Sequence, residues 1–243
     1  MKETYRFAEL NISVDSLHET VHRLCADYRV QDNSAFDIII KQEDIDFERE
    51  RSEREERPGG FKILDYRDGY LETLAVYRKI AEILPEYDTI LIHGSCVAVN
   101  DEGYLFIAKS GIGKSTHTRL WRKLFGNQAV MINDDKPLIR IDKNGAMIYG
   151  TPWDGKHRLS TNTAVPLKAI CILTRADENS IYSVSAKEAY PMLLQQVYRP
   201  MDTTAMGQTL NLIDRLTSKV SLWRLGCNTD IEAAQIAYNA MKG

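Results

Sequence analysis

The 243-residue sequence lacks the features that would place it in a membrane. No apolar run approaches the roughly 18–20 residues that a membrane-spanning helix needs. Residues 1–10 are polar and contain no apolar signal-peptide core. We therefore expect a cytoplasmic protein without a membrane partner.

An excess of basic residues is also missing, because 31 lysines and arginines are offset by 34 acidic residues, for a net charge of −3. Proteins that bind nucleic acid or anionic membrane surfaces typically carry a basic patch. The composition therefore argues against a nucleic-acid partner. Whether the chain forms a homo-oligomer stays open.

Cysteine is scarce, and no CxxC pair occurs. The wide spacing of the cysteines argues against a zinc site or a redox motif. We interpret all of them as buried free thiols. They are Cys25, Cys96, Cys171 and Cys227.

What the sequence does contain is a succession of strand and helix patterns typical of an α/β protein. Residues 5–14 and 36–41 are predicted to be strands, and an apolar face at helical spacing precedes Pro85. The pattern of the sequence changes near residue 88, where a mostly apolar predicted strand begins. We therefore predict a small strand-rich region with a closing helix over 1–88 and a larger core over 89–243.

A segment of mixed charge, residues 48–57, is followed by a Pro-Gly-Gly turn signal at 58–60. No apolar period runs through it, so we predict a solvent-facing strand or loop. A surface that docks a partner is the alternative.

In the second region, strands and helices follow one another closely. Residues 89–99 and 104–108 are predicted strands, 116–125 a helix, and 129–132 another strand. Further strands are predicted over 138–141, 146–149, 167–173 and 220–225. The final helix is predicted to open with a capping box at 229–232.

The most specific motif is the loop at 108–115, which reads AKSGIGKS. It matches the phosphate-binding pattern G-x-x-x-x-G-K-[ST] except at Ala108. Glycines allow the backbone N–H groups to form an anion nest, and the following helix adds its positive end. Lys114 would reach the β- and γ-phosphates, and the Ser115 hydroxyl would bind Mg²⁺. A Gly-rich turn with a surface lysine is the alternative.

We therefore predict ATP and Mg²⁺ as cofactors. The predicted nucleotide-binding residues are Ala108, Lys109, Ser110, Gly111, Ile112, Gly113, Lys114, Ser115 and Thr116.

Two adjacent carboxylates, Asp134 and Asp135, follow the strand at 129–132. Such a pair suits phosphoryl transfer, since one acid can hold Mg²⁺ while the other accepts a proton from a hydroxyl. A solvated turn capped by aspartates is the alternative. His93, taken alone, is typical of a packed side chain. In the loop at 151–158, Lys156 and Arg158 are candidate phosphate contacts, although a solvated basic turn would look the same.

Ile92-His93-Gly94, SGIGKS and Asp134-Asp135 together resemble the HPr kinase/phosphorylase-related kinases, especially shorter members associated with peptide modification clusters. The resemblance covers about residues 90–150 and continues weakly to the end of the chain. It implies a P-loop core like that of phosphoenolpyruvate carboxykinase.

The resemblance also implies roles for individual residues. Asp135 becomes the base, supported by His93, and Lys114 contacts the phosphates. Asp134 and Ser115 lie on the metal side. The chain departs from the family at Ala108 and Thr116, lacks a glutamate just before Gly150, and shows no loop for the HPr protein. Asp154 is a candidate to replace that glutamate.

The sequence thus predicts an ATP-dependent kinase for a hydroxyl, most simply a serine or threonine of a peptide or protein. Two alternatives stay open, namely a kinase for a small metabolite and a nucleotide-binding regulatory module without catalysis. The sequence does not identify the acceptor.

Overall fold

The structure is a computed structural model, and it describes residues 1–54 and 66–243. The chain divides into two compact units, Met1–Ala81 and Glu82–Gly243. Each unit combines a β-sheet with α-helices, so the mixed α/β class predicted from the sequence is confirmed. Among the described residues, no helix is both long and apolar enough to cross a membrane.

In the described part of the first unit, a four-stranded sheet has the order β3-β1-β2-β4. The strands and helices of this part of the chain are β1 (Lys2–Phe7), β2 (Leu10–Asp15), α1 (Glu19–Leu24), β3 (Arg29–Val30), β4 (Phe36–Ile39), α2 (Gln42–Arg54) and α3 (Asp68–Ile83). The single strand predicted over 5–14 is wrong. Ala8 and Glu9 both have positive φ angles, and they turn the chain into an antiparallel hairpin of β1 and β2.

Helix α2 corrects the prediction of a solvent-facing strand or loop over 48–57. The helix continues to Arg54, and residues 55–60 lie outside the described residues. Glu48 is only 3% exposed and accepts a 2.6 Å hydrogen bond from Arg78 of α3. The alternating charges fit a helix because oppositely charged residues four apart lie side by side, as Glu50 and Arg54 do here.

The second unit contains a larger sheet with the strand path β5-β9-β10-β11-β7-β6-β8, and β13 pairs with β11 and β12. The strands are β5 (Thr89–Leu91), β6 (Ser95–Val99), β7 (Glu102–Ile107), β8 (Ala129–Asn133), β9 (Leu138–Ile141), β10 (Ala146–Tyr149), β11 (Ala164–Arg175), β12 (Ser180–Ser183) and β13 (Ser221–Cys227). The helices are α4 (Lys114–Phe125), α5 (Ala186–Gln196), α6 (Thr203–Thr217) and α7 (Ile231–Met241).

Helices cover both faces of this sheet, as the alternation along β7 shows. Leu105 and Ile107 belong to the core cluster that includes residues of α5 and α6. Tyr104 and Phe106 belong to the opposite cluster, with residues of α4 and α7. Successive side chains of a strand point to opposite faces, so a fully buried strand reads as a continuous apolar run.

One predicted strand and one predicted helix cap differ from the structure. The strand predicted over 89–99 is broken into β5 and β6, which pair with β9 and β7 respectively. At the start of α7, Asp230 makes no side-chain capping bond. A capping box occurs instead at α5, between Ser185 and Glu188.

Candidate functional site

The loop at 108–113 joins the end of buried β7 to the start of α4. Gly111 and Gly113 have φ angles of 80° and 118°, a region that side chains disfavour. No side chain caps the first turn of α4. Its amide groups and positive dipole end therefore form a ready site for an anion such as a phosphate.

Lys114 lies at the first position of α4 and folds back over the loop. Its Nζ lies 3.4 Å from the carbonyl oxygen of Ala108. Burial lowers the pKa of Lys114, and the charge of Lys136 adds to this, whereas the carboxylates of Asp134 and Asp135 oppose it. Lys114 thus stands between the loop and the acidic pair.

The other predicted loop residues differ in exposure. Lys109, Ser110 and Ser115 are exposed, and Ala108 is fully buried at the end of the strand. Ile112 and Thr116 are half-buried and line a cavity beside the loop.

Asn133, at the end of β8, organises the acidic turn that follows it. Its Oδ1 accepts hydrogen bonds from the amides of Asp135 (2.8 Å) and Lys136 (2.6 Å). Its Nδ2 donates to the carbonyl and the hydroxyl oxygen of Thr151, both at 3.0 Å. Sequence reasoning missed this buried residue, although an asparagine followed by two aspartates at a strand end is a known turn signal.

Asp134 is only 8% exposed and is held by a hydroxyl network. The Ser95 hydroxyl donates a 2.6 Å hydrogen bond to Oδ1 of Asp134 and lies 2.9 Å from the Thr118 hydroxyl. Ser95 belongs to β6 and Thr118 to α4. This network, also missed from the sequence, connects the helix after the loop to the acidic turn.

Asp135 is the more accessible acid of the pair, with 31% of its side chain exposed. Its Oδ1 lies 3.4 Å from His93 Nε2 and 3.8 Å from Lys136 Nζ. Burial raises the pKa of Asp135. The cations Lys136 and Lys114 act in the opposite direction, and the neighbouring carboxylates of Asp134 and Asp154 add to the rise.

His93 faces Asp135 as a neutral ring. Burial, aided by the charges of Lys136 and Lys114, lowers the pKa of His93 to about 3. The contact with Asp135 is therefore that of a neutral imidazole and a carboxylate, and not an ion pair, at neutral pH. The backbone fixes this position, since His93 N donates to the carbonyl of Gln196 and Gly94 N to that of Asp135.

The loop at 151–158 packs against the acidic turn. Gly155 has a φ of 72°, and a Cβ there would lie 3.3 Å from Cβ of Asp135. Asp154 is buried and accepts a hydrogen bond from the Ser160 hydroxyl. Arg158 lies 3.6 Å from Oδ1 of Asp154, whereas Lys156 is exposed.

The oxygen atoms of this region fit Mg²⁺ in part. Hard cations prefer carboxylate and hydroxyl oxygens. Oδ1 of Asp154 is buried and accepts no hydrogen bond within the described chain, and its charged neighbour there is Arg158 at 3.6 Å. In the described ranges, no three His, Cys, Asp or Glu side chains form a metal cage. Mg²⁺ usually takes one or two carboxylates and completes its shell with phosphate oxygens and water. The site therefore suits a metal ion that arrives with a phosphate ligand.

Fold and site together define a mixed α/β protein in which a glycine-containing loop at a helix N-terminus lies close to a buried acidic turn. The chain belongs to the family described as SynChlorMet cassette protein ScmC, whose model matches residues 65–211, more than half of the chain. A search of curated proteins finds no match.

Among solved structures, the chain is similar to the Hpr(Ser) kinase/phosphatase from Coxiella burnetii. The identity is 12% and the TM-score 0.35, and the match covers 63% of this chain and 99% of the other.

Proposed function

We propose that the protein is an ATP-dependent kinase that phosphorylates a hydroxyl group, with a serine or threonine of a peptide or protein as acceptor. The observation that carries the proposal is the grouping of Lys114, Asp135 and His93 beside the loop at 108–115. The fold proposed for this unit is the P-loop core shared by HPr kinase-related proteins and phosphoenolpyruvate carboxykinase.

The loop amides and Lys114 would bind the phosphate chain of the donor. Asp134 and Ser115 would hold Mg²⁺, with Asp154 in place of the missing glutamate, and the ion when bound neutralises charge on the phosphates. Lys156 is exposed on the neighbouring loop, where Arg158 lies beside Asp154, and both cations are candidates for additional contacts with a phosphoryl group. Positioning and charge stabilisation supply most of the rate enhancement in phosphoryl transfer.

The hydroxyl oxygen of the acceptor would bond to the γ-phosphorus while the bond between that phosphorus and the bridging β-phosphate oxygen breaks. Asp135 would accept the proton that the hydroxyl loses. The products are the phosphorylated acceptor and ADP. A raised pKa makes Asp135 a stronger proton acceptor than a solvated carboxylate. Neutral His93 would orient this carboxylate without neutralising its charge.

Binding and transfer can be tested separately. Calorimetry with ATP and Mg²⁺ should show binding by the wild type and by Asp135→Asn, and a large loss of affinity in Lys114→Ala. A screen with γ-labelled ATP should use two acceptor sets, a serine- and threonine-containing peptide library and a set of small hydroxyl metabolites. Asp135→Asn should transfer phosphate about 10²–10⁴-fold more slowly than the wild type.

Asp214→Asn is the matched control, because Asp214 is an exposed aspartate on α6. It should bind ATP and transfer phosphate like the wild type. Absence of ATP binding by the folded wild type would overturn the proposal. Tight binding without transfer to either set would favour a regulatory module, and labelling confined to metabolites would favour a small-molecule kinase.

A further inference from the structure

A cavity of about 570 Å³ lies beside the loop. Pockets that hold small molecules usually measure about 300–1,000 Å³, so the cavity is large enough for a nucleoside. The residues of its wall that matter for the argument are Gly113, His117, Arg175, Asp177, Cys227 and Asn228.

The cavity lies at the carboxyl ends of parallel strands. Strand β11 pairs in parallel with both β7 and β13, so the ends of all three strands lie at the same edge of the sheet. Ligands of open α/β sheets bind at this edge. Gly111 and Gly113 belong both to the cavity wall and to the loop at 108–115. One ligand can therefore place a phosphate chain in the loop and another group in the cavity.

His117 lies in the cavity wall and is only 2% exposed. Its Nε2 accepts a hydrogen bond from Nε1 of Trp121 at 3.1 Å, so Nδ1 carries the ring hydrogen. That Nδ1 is buried and has no hydrogen-bond partner in the described chain. The bond to Trp121 fixes the orientation of this ring in the cavity wall.

The rim of the cavity carries one cation and one anion. Arg175 donates a 2.5 Å hydrogen bond to the carbonyl of Gly111, which ties the rim to the loop. Asp177 is exposed, and within the described residues no side chain pairs with its carboxylate. Asn228 braces this segment, because its Nδ2 donates to the carbonyl of Asp177.

A free carboxylate at this place suits hydroxyl groups and disfavours further phosphates. Carboxylates at the corresponding edge of nucleotide-binding α/β folds hydrogen-bond to ribose hydroxyls. The volume of the cavity, its continuity with the loop at 108–115 and the carboxylate of Asp177 together match a ribonucleoside.

We propose that this cavity binds the nucleoside of a ribonucleoside triphosphate and that Asp177 selects ribose over deoxyribose. The inference rests on the proposed function, because it requires the loop to bind the phosphates. It goes further in assigning the nucleoside to this cavity and in naming Asp177 as the residue that selects ribose.

Cys227 provides a test that does not depend on activity. It lines the cavity and is half-buried, whereas Cys25, Cys96 and Cys171 are buried. A small maleimide should therefore label Cys227 selectively, as peptide mass mapping would verify. ATP with Mg²⁺ at 100 times its Kd should slow this labelling about 100-fold, since only the free fraction reacts. Inorganic tripolyphosphate should bind without slowing it and should reverse the protection by ATP.

The outcomes separate the two proposals. If neither ATP nor tripolyphosphate binds by calorimetry, the proposed function fails and this inference fails with it. If both bind and neither changes the labelling of Cys227, the nucleoside lies elsewhere and only this inference is overturned. Equal protection by both ligands would also overturn it, because the phosphates alone would then account for the effect.

A second measurement tests Asp177 without relying on the thiol. The wild type should bind ATP about three- to tenfold more tightly than dATP, as expected for one hydrogen bond. Asp177→Asn should lose this preference and keep its affinity for tripolyphosphate. Glu178→Gln, a change at the exposed neighbour, should behave as the wild type. An unchanged ATP-to-dATP ratio in Asp177→Asn would refute the role of Asp177.

Discussion

Replacing Asn133 with alanine should weaken both the stability and the activity of the second unit. The substitution removes the acceptor of two amides, those of Asp135 and Lys136, and the donor to Thr151. An unsatisfied buried group costs about 1–3 kcal/mol. Because the turn is half-buried and water can reach part of it, we expect a loss of about 2–4 kcal/mol in the free energy of unfolding.

Thr151→Val provides a graded comparison. It removes one hydroxyl, which donates to the carbonyl of Lys136 and accepts from Asn133. We expect a loss of about 1–2 kcal/mol. Asn144→Ala, at an exposed asparagine in the turn between β9 and β10, should change stability by less than about 0.5 kcal/mol.

Tryptophan fluorescence during urea unfolding is the assay of choice. All three tryptophans, Trp121, Trp153 and Trp223, lie in the second unit, so the signal follows that unit. Phosphate transfer by Asn133→Ala should fall about 10²-fold, because a displacement of about 1 Å can cost this much, while ATP affinity is retained. A free energy of unfolding within about 0.5 kcal/mol of the wild type would refute the reasoning.

Three further predictions follow from other contacts. Lys136→Met should raise the pKa of Asp135, because the charge of Lys136 lowers it. The acidic limb of the plot of kcat/KM against pH should therefore move to higher pH, and an unmoved limb would exclude Asp135 as the titrating base. Gly150→Ala should cost about 1–3 kcal/mol in urea unfolding, since its Cβ would lie 1.9 Å from a backbone oxygen, whereas Gly145→Ala, in open space, should be tolerated; equal effects would contradict this. Glu48→Gln should destabilise the first unit by on the order of 3 kcal/mol, because it removes the charge that pairs with Arg78. Hydrogen exchange in α2 and α3 at the wild-type rate would show that this ion pair is dispensable.

The parts of the structure that local sequence determines were predicted well. The strand before the loop at 108–115, the helix after it and the acidic turn after β8 all occur where apolar runs and turn residues indicated them. Glycine conformation and helix dipoles are local properties, so a short motif can encode them. The roles assigned to the residues of this motif stay predictions.

The missed features depend on contacts between distant parts of the chain. Asn133 acquires its function from Thr151, and Asp134 from Ser95 and Thr118. The mixed charges of α2 suggested exposure, but Arg78 of another helix pairs with Glu48 and allows it to be buried. The periodicity of one segment does not identify its partners elsewhere in the chain, because it describes that segment alone.

Strand β11 has a consequence for how the second unit folds. It pairs in parallel with β7, and one helix and three strands lie between these two strands in the sequence. It also pairs in parallel with β13, which follows helices α5 and α6. Parallel pairing across such separations requires long loops to close first, which slows folding. The cavity wall consists of segments next to all three strands. The loop at 108–115 can thus form early, because its residues are neighbours in the sequence, whereas the adjoining cavity forms only after the slow parallel pairing of the sheet.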